Sequence, residues 1–147
     1  MKTITVTHAI TAPIEQVFAE LTDHANYKQF PGVTDSKLLR EGDINKNGLG
    51  ARRLVIGGPT KIIEDIVAYD APNSFQYQIT KLTPPLFEHL LGLVELKEQE
   101  GRTIVTWTST VQNRVPIIGK LIEKKVYEQG NKSFSMILKT IEKKLTT

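Results

Sequence analysis

Apolar and polar residues alternate along several short stretches of the chain, which is the pattern of half-buried β-strands. Near the N-terminus, Ile4, Val6, His8 and Ile10 alternate with threonine and alanine. Seven such stretches are separated by turns rich in glycine, proline and asparagine, and they centre on positions 3–10, 37–39, 52–56, 62–69, 75–80, 89–97 and 103–111. The short connections between the later stretches predict antiparallel neighbours joined by hairpins.

Helical spacing of the apolar residues appears in three places. Pro13 suits the first turn of a helix, and the apolar residues at 14, 17, 18 and 21 follow at intervals of three and four. A second short helix is predicted over 25–30, ended by Pro31 and Gly32. After Pro116 a longer apolar stripe predicts an amphipathic helix over 117–145. The order of strand, two short helices, six strands and long helix predicts a single α+β domain over 1–147.

A strongly curved sheet that wraps around one long helix leaves space between the two, which predicts a pocket. Gly130 and Phe134 lie on the apolar stripe of the long helix, one turn apart. Glycine inside a helix costs about 1 kcal/mol relative to alanine, so something must approach the helix closely at Gly130. A bulky strand residue and a bound ligand are the two alternatives.

The composition narrows the class of protein. Of the 147 residues, 39% are hydrophobic and 24% are charged, as in ordinary soluble globular proteins. The sequence contains neither the apolar core of a signal peptide nor a membrane span, so a cytoplasmic location is expected. The absence of cysteine excludes disulfides and thiolate metal sites. The three histidines lack metal-ligand spacing, and we therefore predict no metal and no cofactor.

The net charge of +3 is too small to predict nucleic-acid binding. Its distribution is uneven, because residues 113–147 contain 8 basic and 3 acidic side chains, whereas the remainder contains 11 and 13. A solvated helix face accounts for this excess. Transient contact with an anionic membrane surface is the alternative interpretation.

Polar and aromatic residues on apolar strand faces are the candidate ligand contacts. His8 shares its strand face with isoleucine and valine, so its side chain is expected to point inward. Tyr77 and Trp107 each combine a large apolar surface with one polar group, which suits an amphipathic ligand as well as ordinary core packing. Strand parity does not choose between Glu64 and Asp65, because both faces of their strand are rich in apolar residues.

The segment Ile10–Phe18, followed by Leu21–Asp23 and Tyr27, resembles the opening of the polyketide cyclase/dehydrase and lipid-transport family. This family belongs to the START-like (SRPBCC, helix-grip) superfamily. Further agreement comes from Gly48–Arg53, Glu64–Ile66, Tyr69–Asp70, Tyr77, Thr103–Trp107 and the closing helix, so the resemblance covers essentially the whole chain. It implies a helix-grip fold, in which a curved seven-stranded antiparallel sheet wraps around a long C-terminal helix.

The resemblance also favours Glu64 as the inward carboxylate, with Arg53 as its partner. A charge inside a pocket is expensive unless it is paired, and such a pair would hold it there. A salt bridge at the surface or at the pocket rim is the alternative for these two residues.

The family resemblance implies a pocket rather than one reaction, because members bind lipids, sterols, hormones and polyketides and only some are enzymes. We therefore predict binding of a small hydrophobic or amphipathic ligand, lipid- or polyketide-like, between the sheet and the C-terminal helix. The candidate contacts are His8, Arg53, Glu64, Tyr77, Trp107, Gly130 and Phe134. One alternative is a polyketide cyclase, aromatase or dehydratase in which some of these residues transfer protons. A second is a co-chaperone-like module that binds a partner protein through the basic helix.

Overall fold

A computed structural model describes all residues 1–147 and contains one antiparallel sheet folded around a long helix. The elements are β1 Lys2–Ile10, α1 Ile14–Leu21, a 3₁₀ helix His24–Gln29, β2 Asp35–Arg40, β3 Arg52–Gly57, β4 Thr60–Asp70, β5 Ser74–Thr83, β6 Phe87–Gln99, β7 Arg102–Asn113 and α2 Gly119–Thr146. This is the predicted order of elements. The α+β helix-grip architecture expected from the sequence is confirmed.

The seven strands lie in the order β1-β7-β6-β5-β4-β3-β2. From β2 to β7 every strand pairs with its neighbour in sequence, which confirms the predicted antiparallel hairpins. The N-terminal strand β1 joins the sheet beside β7. The two edge strands are therefore β1 and β2, and the three helices cover the inner face between them.

Extra residues in three central strands shift the register of the sheet. Val67 in β4, Thr80 in β5 and Leu90 in β6 have no partner in the ladder on the neighbouring strand. Such bulges bend a strand and increase its twist. They account for the curvature that the sheet needs to wrap around α2.

The helix boundaries differ slightly from those predicted. Four apolar residues of α1 are buried, as their spacing indicated. The second short helix is a 3₁₀ helix that begins at His24. The predicted start of the long helix at 117 is wrong by two residues, because Ile117 has a φ of 72° and therefore lies in the left-handed region. The long helix α2 begins at Gly119.

The two halves of α2 pack differently. In the C-terminal half, Ile137, Leu138 and Ile141 are buried against the sheet and belong to the hydrophobic core. Before them, the only buried residue of the helix is the glycine at its start. The helix therefore closes one end of the sheet tightly and stands away from it at the other.

Tyr77 and Gly92 form a close contact across β5 and β6. They are paired in the ladder, and a Cβ added to Gly92 would lie 2.4 Å from Cζ of the Tyr77 ring. The ring thus occupies the space that a side chain at position 92 would need. Glycine is required here because an aromatic ring covers the backbone.

We expect Gly92→Ala to destabilise the protein by about 2 kcal/mol, because the new methyl group must displace a buried ring that other side chains hold on every side. Urea denaturation of the variant and the wild type measures the difference. In the Tyr77→Leu background the same substitution should cost much less. An equal cost in both backgrounds would show that the ring is not the obstacle.

Candidate functional site

A cavity of about 710 Å³ lies where α2 stands away from the sheet. Its apolar wall comes from both sides of the gap and includes Ile4, Ile62, Leu82, Phe87, Val111, Val126 and Phe134. Pro84 and Leu86, from the connection between β5 and β6, also line it, as does Thr60 after the β3–β4 turn. The cavity therefore lies between the sheet and the C-terminal helix, where the sequence predicted a pocket.

Near the cavity, β5 and β6 separate. Their ladder extends from Ser74–Glu95 to Tyr77–Gly92 and ends there. Beyond that point the backbone amide of Ile79 donates to Nδ1 of His89 at 3.1 Å instead of to a strand carbonyl. A histidine side chain thus satisfies a backbone group that the divergence of the strands would leave without a partner.

Gly130 faces Ile4 of β1 at close range. A Cβ at this position would lie 2.6 Å from Cδ1 of Ile4. A bulky strand residue therefore accounts for the glycine, as one of the two alternatives proposed. Gly130 and Phe134 both line the cavity.

Aromatic rings connect the cavity wall to the interior of the protein. Phe134 stacks on Trp107 with ring centroids 4.3 Å apart and planes inclined by 8°. Nε1 of Trp107 donates to the Tyr77 hydroxyl at 2.8 Å. Tyr77 is stacked on His89 at 5.2 Å. Burial, reinforced by the negative charge of Glu64, raises the pKa of Tyr77 far above its usual range, so this phenol stays protonated.

Arg53 and Glu64 form a buried ion pair behind these rings. Nε of Arg53 donates to Oε1 of Glu64 at 2.7 Å, and the two side chains are 2% and 9% exposed. The guanidinium carbon lies 4.5 Å from the ring centroid of Tyr27 and 5.3 Å from that of Tyr77. Burial by itself would lower the pKa of Arg53, but Glu64 together with Tyr27 and Tyr77 more than offsets this effect and keeps the arginine charged.

The structure shows which of the two neighbouring acidic residues of β4 faces inward. Glu64 faces inward, whereas Asp65 accepts two hydrogen bonds from Arg52 on the outer face. The pairing of Arg53 with Glu64 lies in the interior of the protein and not at its surface. Neither residue lines the cavity.

His24 completes the environment of Arg53. Its Nδ1 accepts from Nη1 of Arg53 at 3.1 Å, and its Nε2 contacts the backbone oxygen of Asn47 at 2.9 Å. Because arginine only donates and a carbonyl only accepts, the proton of the neutral ring must lie on Nε2. Burial and the positive charge of Arg53 lower the pKa of His24 from 6.5 to about 3. This histidine is therefore neutral at neutral pH.

His89 and Ser109 connect the same network to the cavity. Nε2 of His89 lies 3.1 Å from Oγ of Ser109, and Ser109 lines the cavity. Burial lowers the pKa of His89. Ser109 was not among the predicted contact residues. Its strand parity with Trp107 and Val111 could have identified it. His89 could not be found by parity, because the bulge at Leu90 interrupts the alternation in β6.

His8 lies apart from this group. Its Nε2 pairs with Oε1 of Glu142 on α2 at 3.1 Å, and its side chain is 25% exposed. The inward direction predicted for His8 leads to the helix rather than to the cavity. Of the seven predicted contact residues, two line the cavity, four form the ring and ion-pair network behind it, and His8 lies elsewhere.

Charged side chains of α2 surround the helix side of the cavity. Lys125, Glu128 and Lys132 line it and are exposed to solvent. Ile117 and Leu121 are exposed near the start of α2.

No group of three or more histidine and acidic side chains is arranged to hold a metal ion, and no helix is long and apolar enough to cross a bilayer. Contact with an anionic membrane stays a prediction.

Comparison with known proteins agrees with the fold. The family described as polyketide cyclase/dehydrase and lipid transport matches residues 1–135. Among solved structures, TTHA0849 from Thermus thermophilus is 19% identical with a TM-score of 0.81, over 99% of this chain and 97% of that one. A START superfamily protein from Mycobacterium smegmatis is 11% identical with a TM-score of 0.79, over 97% and 98%. The Aha1 dimer from Colwellia psychrerythraea is 13% identical with a TM-score of 0.68, over 99% and 96%.

A search of curated proteins gives no match. The curved open sheet and the long C-terminal helix define the helix-grip fold, and the likeness to these solved structures concerns the fold alone. With a match over residues 1–135, the chain belongs to the polyketide cyclase/dehydrase and lipid-transport family.

The lowered pKa of His24 predicts a specific loss of stability in acid. The unfolded chain binds a proton near pH 6.5 and the folded chain only near pH 3, so stability rises with pH between these values. When the pH is lowered from 7.5 to 5, this histidine takes up a proton in the unfolded chain but not in the folded one. The free energy of unfolding should therefore fall by about 2 kcal/mol. In His24→Gln an amide that does not titrate replaces the ring and still offers an acceptor for Arg53 and a donor for Asn47. Denaturant unfolding of both proteins at the two pH values should show a smaller loss in the variant, and equal losses would contradict the assignment.

Proposed function

We propose that the cavity binds a small hydrophobic or amphipathic molecule of lipid- or polyketide-like character. The observation that carries the proposal is the apolar gap of about 710 Å³ between α2 and the sheet. This volume lies within the usual range of about 300–1,000 Å³ for sites that bind small molecules. Membership of the polyketide cyclase/dehydrase and lipid-transport family supports the same class of ligand.

The distribution of polar groups favours an amphipathic ligand over a pure hydrocarbon. The strands supply isoleucine, leucine and valine side chains to one wall, whereas α2 supplies exposed lysine and glutamate side chains to the opposite rim. An apolar body can be buried against the sheet while a polar group remains near water. Hydrophobic burial then provides most of the affinity, and the polar groups orient the molecule.

We assign different roles to the predicted contact residues. Gly130 and Phe134 contact the ligand directly, because both line the cavity. Trp107 supports Phe134 from behind through their stacked rings. Arg53 and Glu64 hold the adjoining strands in place and reach the ligand only through the aromatic rings between them.

A polyketide cyclase or dehydratase is the main alternative. Such an enzyme needs a titratable group within hydrogen-bond distance of the reacting atoms. Tyr77 and Glu64 are engaged with Trp107 and Arg53, and neither lines the cavity, which favours binding without reaction. For the alternative of a co-chaperone-like module, the likeness to the Aha1 dimer concerns the fold alone at 13% identity and gives no support.

We expect an amphipathic fluorescent probe such as 8-anilinonaphthalene-1-sulfonate to bind with about one molecule per chain, and we expect Gly130→Trp to weaken its binding at least tenfold. A buried indole would fill the space that the probe requires. Ser133→Trp, one turn away on the same side of α2, serves as a second variant in case the contact of Gly130 with Ile4 prevents folding. Fluorescence titration gives the affinity, and circular dichroism reports folding.

The matched control is Lys124→Trp, which adds the same side chain to an exposed position of α2 outside the cavity. Its probe affinity should equal that of the wild type. Unchanged binding in both folded cavity variants would exclude the cavity as the site. Multiple turnovers of poly-β-ketone compounds, lost in Tyr77→Phe, would replace the binding proposal with an enzymatic one.

A further inference from the structure

The hydrogen bonds around His89 have only one consistent direction. The backbone amide of Ile79 can only donate, and it donates to Nδ1 at 3.1 Å. The ring is neutral at neutral pH, since burial lowers its pKa. Its single proton therefore lies on Nε2, which must be the donor in the contact of 3.1 Å with Oγ of Ser109.

This direction determines what the Ser109 hydroxyl can do. Its oxygen accepts the histidine proton, so histidine cannot act as a base toward it, and Ser109 is not an activated nucleophile. The hydroxyl hydrogen remains available to donate. Oγ of Ser109 also contacts the Tyr77 hydroxyl. The Tyr77 oxygen accepts from Nε1 of Trp107, and we infer that its own hydrogen is donated to Oγ of Ser109. Oγ then accepts from both His89 and Tyr77 and keeps its hydrogen for a third partner.

Ser109 is 4% exposed and lines the cavity beside apolar side chains, among them Ile4 and Val111. A buried hydroxyl hydrogen without an acceptor costs free energy, and an acceptor on the ligand removes that cost. The cationic side chains that line the cavity, Lys125 and Lys132, are exposed on α2. Arg53 is already paired with Glu64. An ionised acceptor at Ser109 would thus be buried without a cation to balance its charge.

We propose that Ser109, oriented by His89, donates a hydrogen bond to an uncharged carbonyl oxygen on the buried end of the ligand. The proposal rests on the proposed function and names the chemical class of the ligand. The ligand is an apolar molecule that carries a ketone, aldehyde or ester oxygen at its leading end. Charged groups on the ligand remain at the lysine-bearing rim formed by α2.

A pair of probes of nearly equal shape isolates this hydrogen bond. 2-Acetonaphthone carries a ketone where 2-ethylnaphthalene carries a methylene group. We expect the wild type to bind the ketone about fivefold or more tightly, as one additional net hydrogen bond provides. In Ser109→Ala the preference should fall to less than twofold, with the affinity for 2-ethylnaphthalene unchanged or higher. Ser133→Ala removes a hydroxyl that lines the same cavity without a histidine behind it, and it should keep the preference.

A spectroscopic readout tests the contact directly. The infrared carbonyl band of bound 2-acetonaphthone should lie at lower frequency in the wild type than in Ser109→Ala. Equal binding of the two naphthalenes by the wild type would overturn this inference and leave the proposed function standing. Tighter binding of 2-naphthoate than of the ketone would overturn the uncharged class of ligand. Failure of every naphthalene probe to bind would overturn both proposals.

Discussion

The ion pair between Arg53 and Glu64 is the constraint on which the interior depends. Removing two charges from water costs several kcal/mol for each, so the protein must surround them with partners. Their surroundings supply these partners: the ion pair itself at 2.7 Å, the neutral Nδ1 of His24 and the faces of two tyrosine rings. The pair thereby joins β3 and β4 to the 3₁₀ helix and, through Asn47, to the loop between β2 and β3.

The space between the sheet and α2 has a filled half around the ion pair and an open half beyond it. Around the ion pair the interior is closed by tyrosine, tryptophan and histidine side chains, and no buried polar side-chain atom lacks a hydrogen-bond partner. Beyond Trp107 and Phe134 the strands β5 and β6 separate and α2 stands away from the sheet. The cavity thus has one rigid wall, made by the aromatic network, and one wall formed by a helix that few core side chains hold. The rigid wall can select ligands by their shape, and the side bounded by the loosely held helix can admit them.

The strands, the helices and the location of the cavity could be predicted from hydrophobic periodicity, because those signals are local in the sequence. Periodicity failed at the bulges. An extra residue at Leu90 hid the inward direction of His89, and the choice between Glu64 and Asp65 required the family resemblance. Parity within β7 could have placed Ser109 on the inner face, but its role depends on a backbone amide in β5, which no pattern within β7 reveals. The left-handed residue that delays the start of α2 likewise has no signal in the periodicity.

A double substitution tests most directly whether the ion pair supports the site without belonging to it. Arg53→Met and Glu64→Leu should each reduce the free energy of unfolding by about 3–5 kcal/mol, because each leaves one buried charge without its partner. The combined variant should recover most of that loss, since two apolar side chains of similar size replace the pair. It should also bind 8-anilinonaphthalene-1-sulfonate with an affinity within about twofold of the wild type, because hydrophobic burial in the cavity is preserved. A folded double variant that has lost probe binding would contradict this account and make the ion pair part of the binding site.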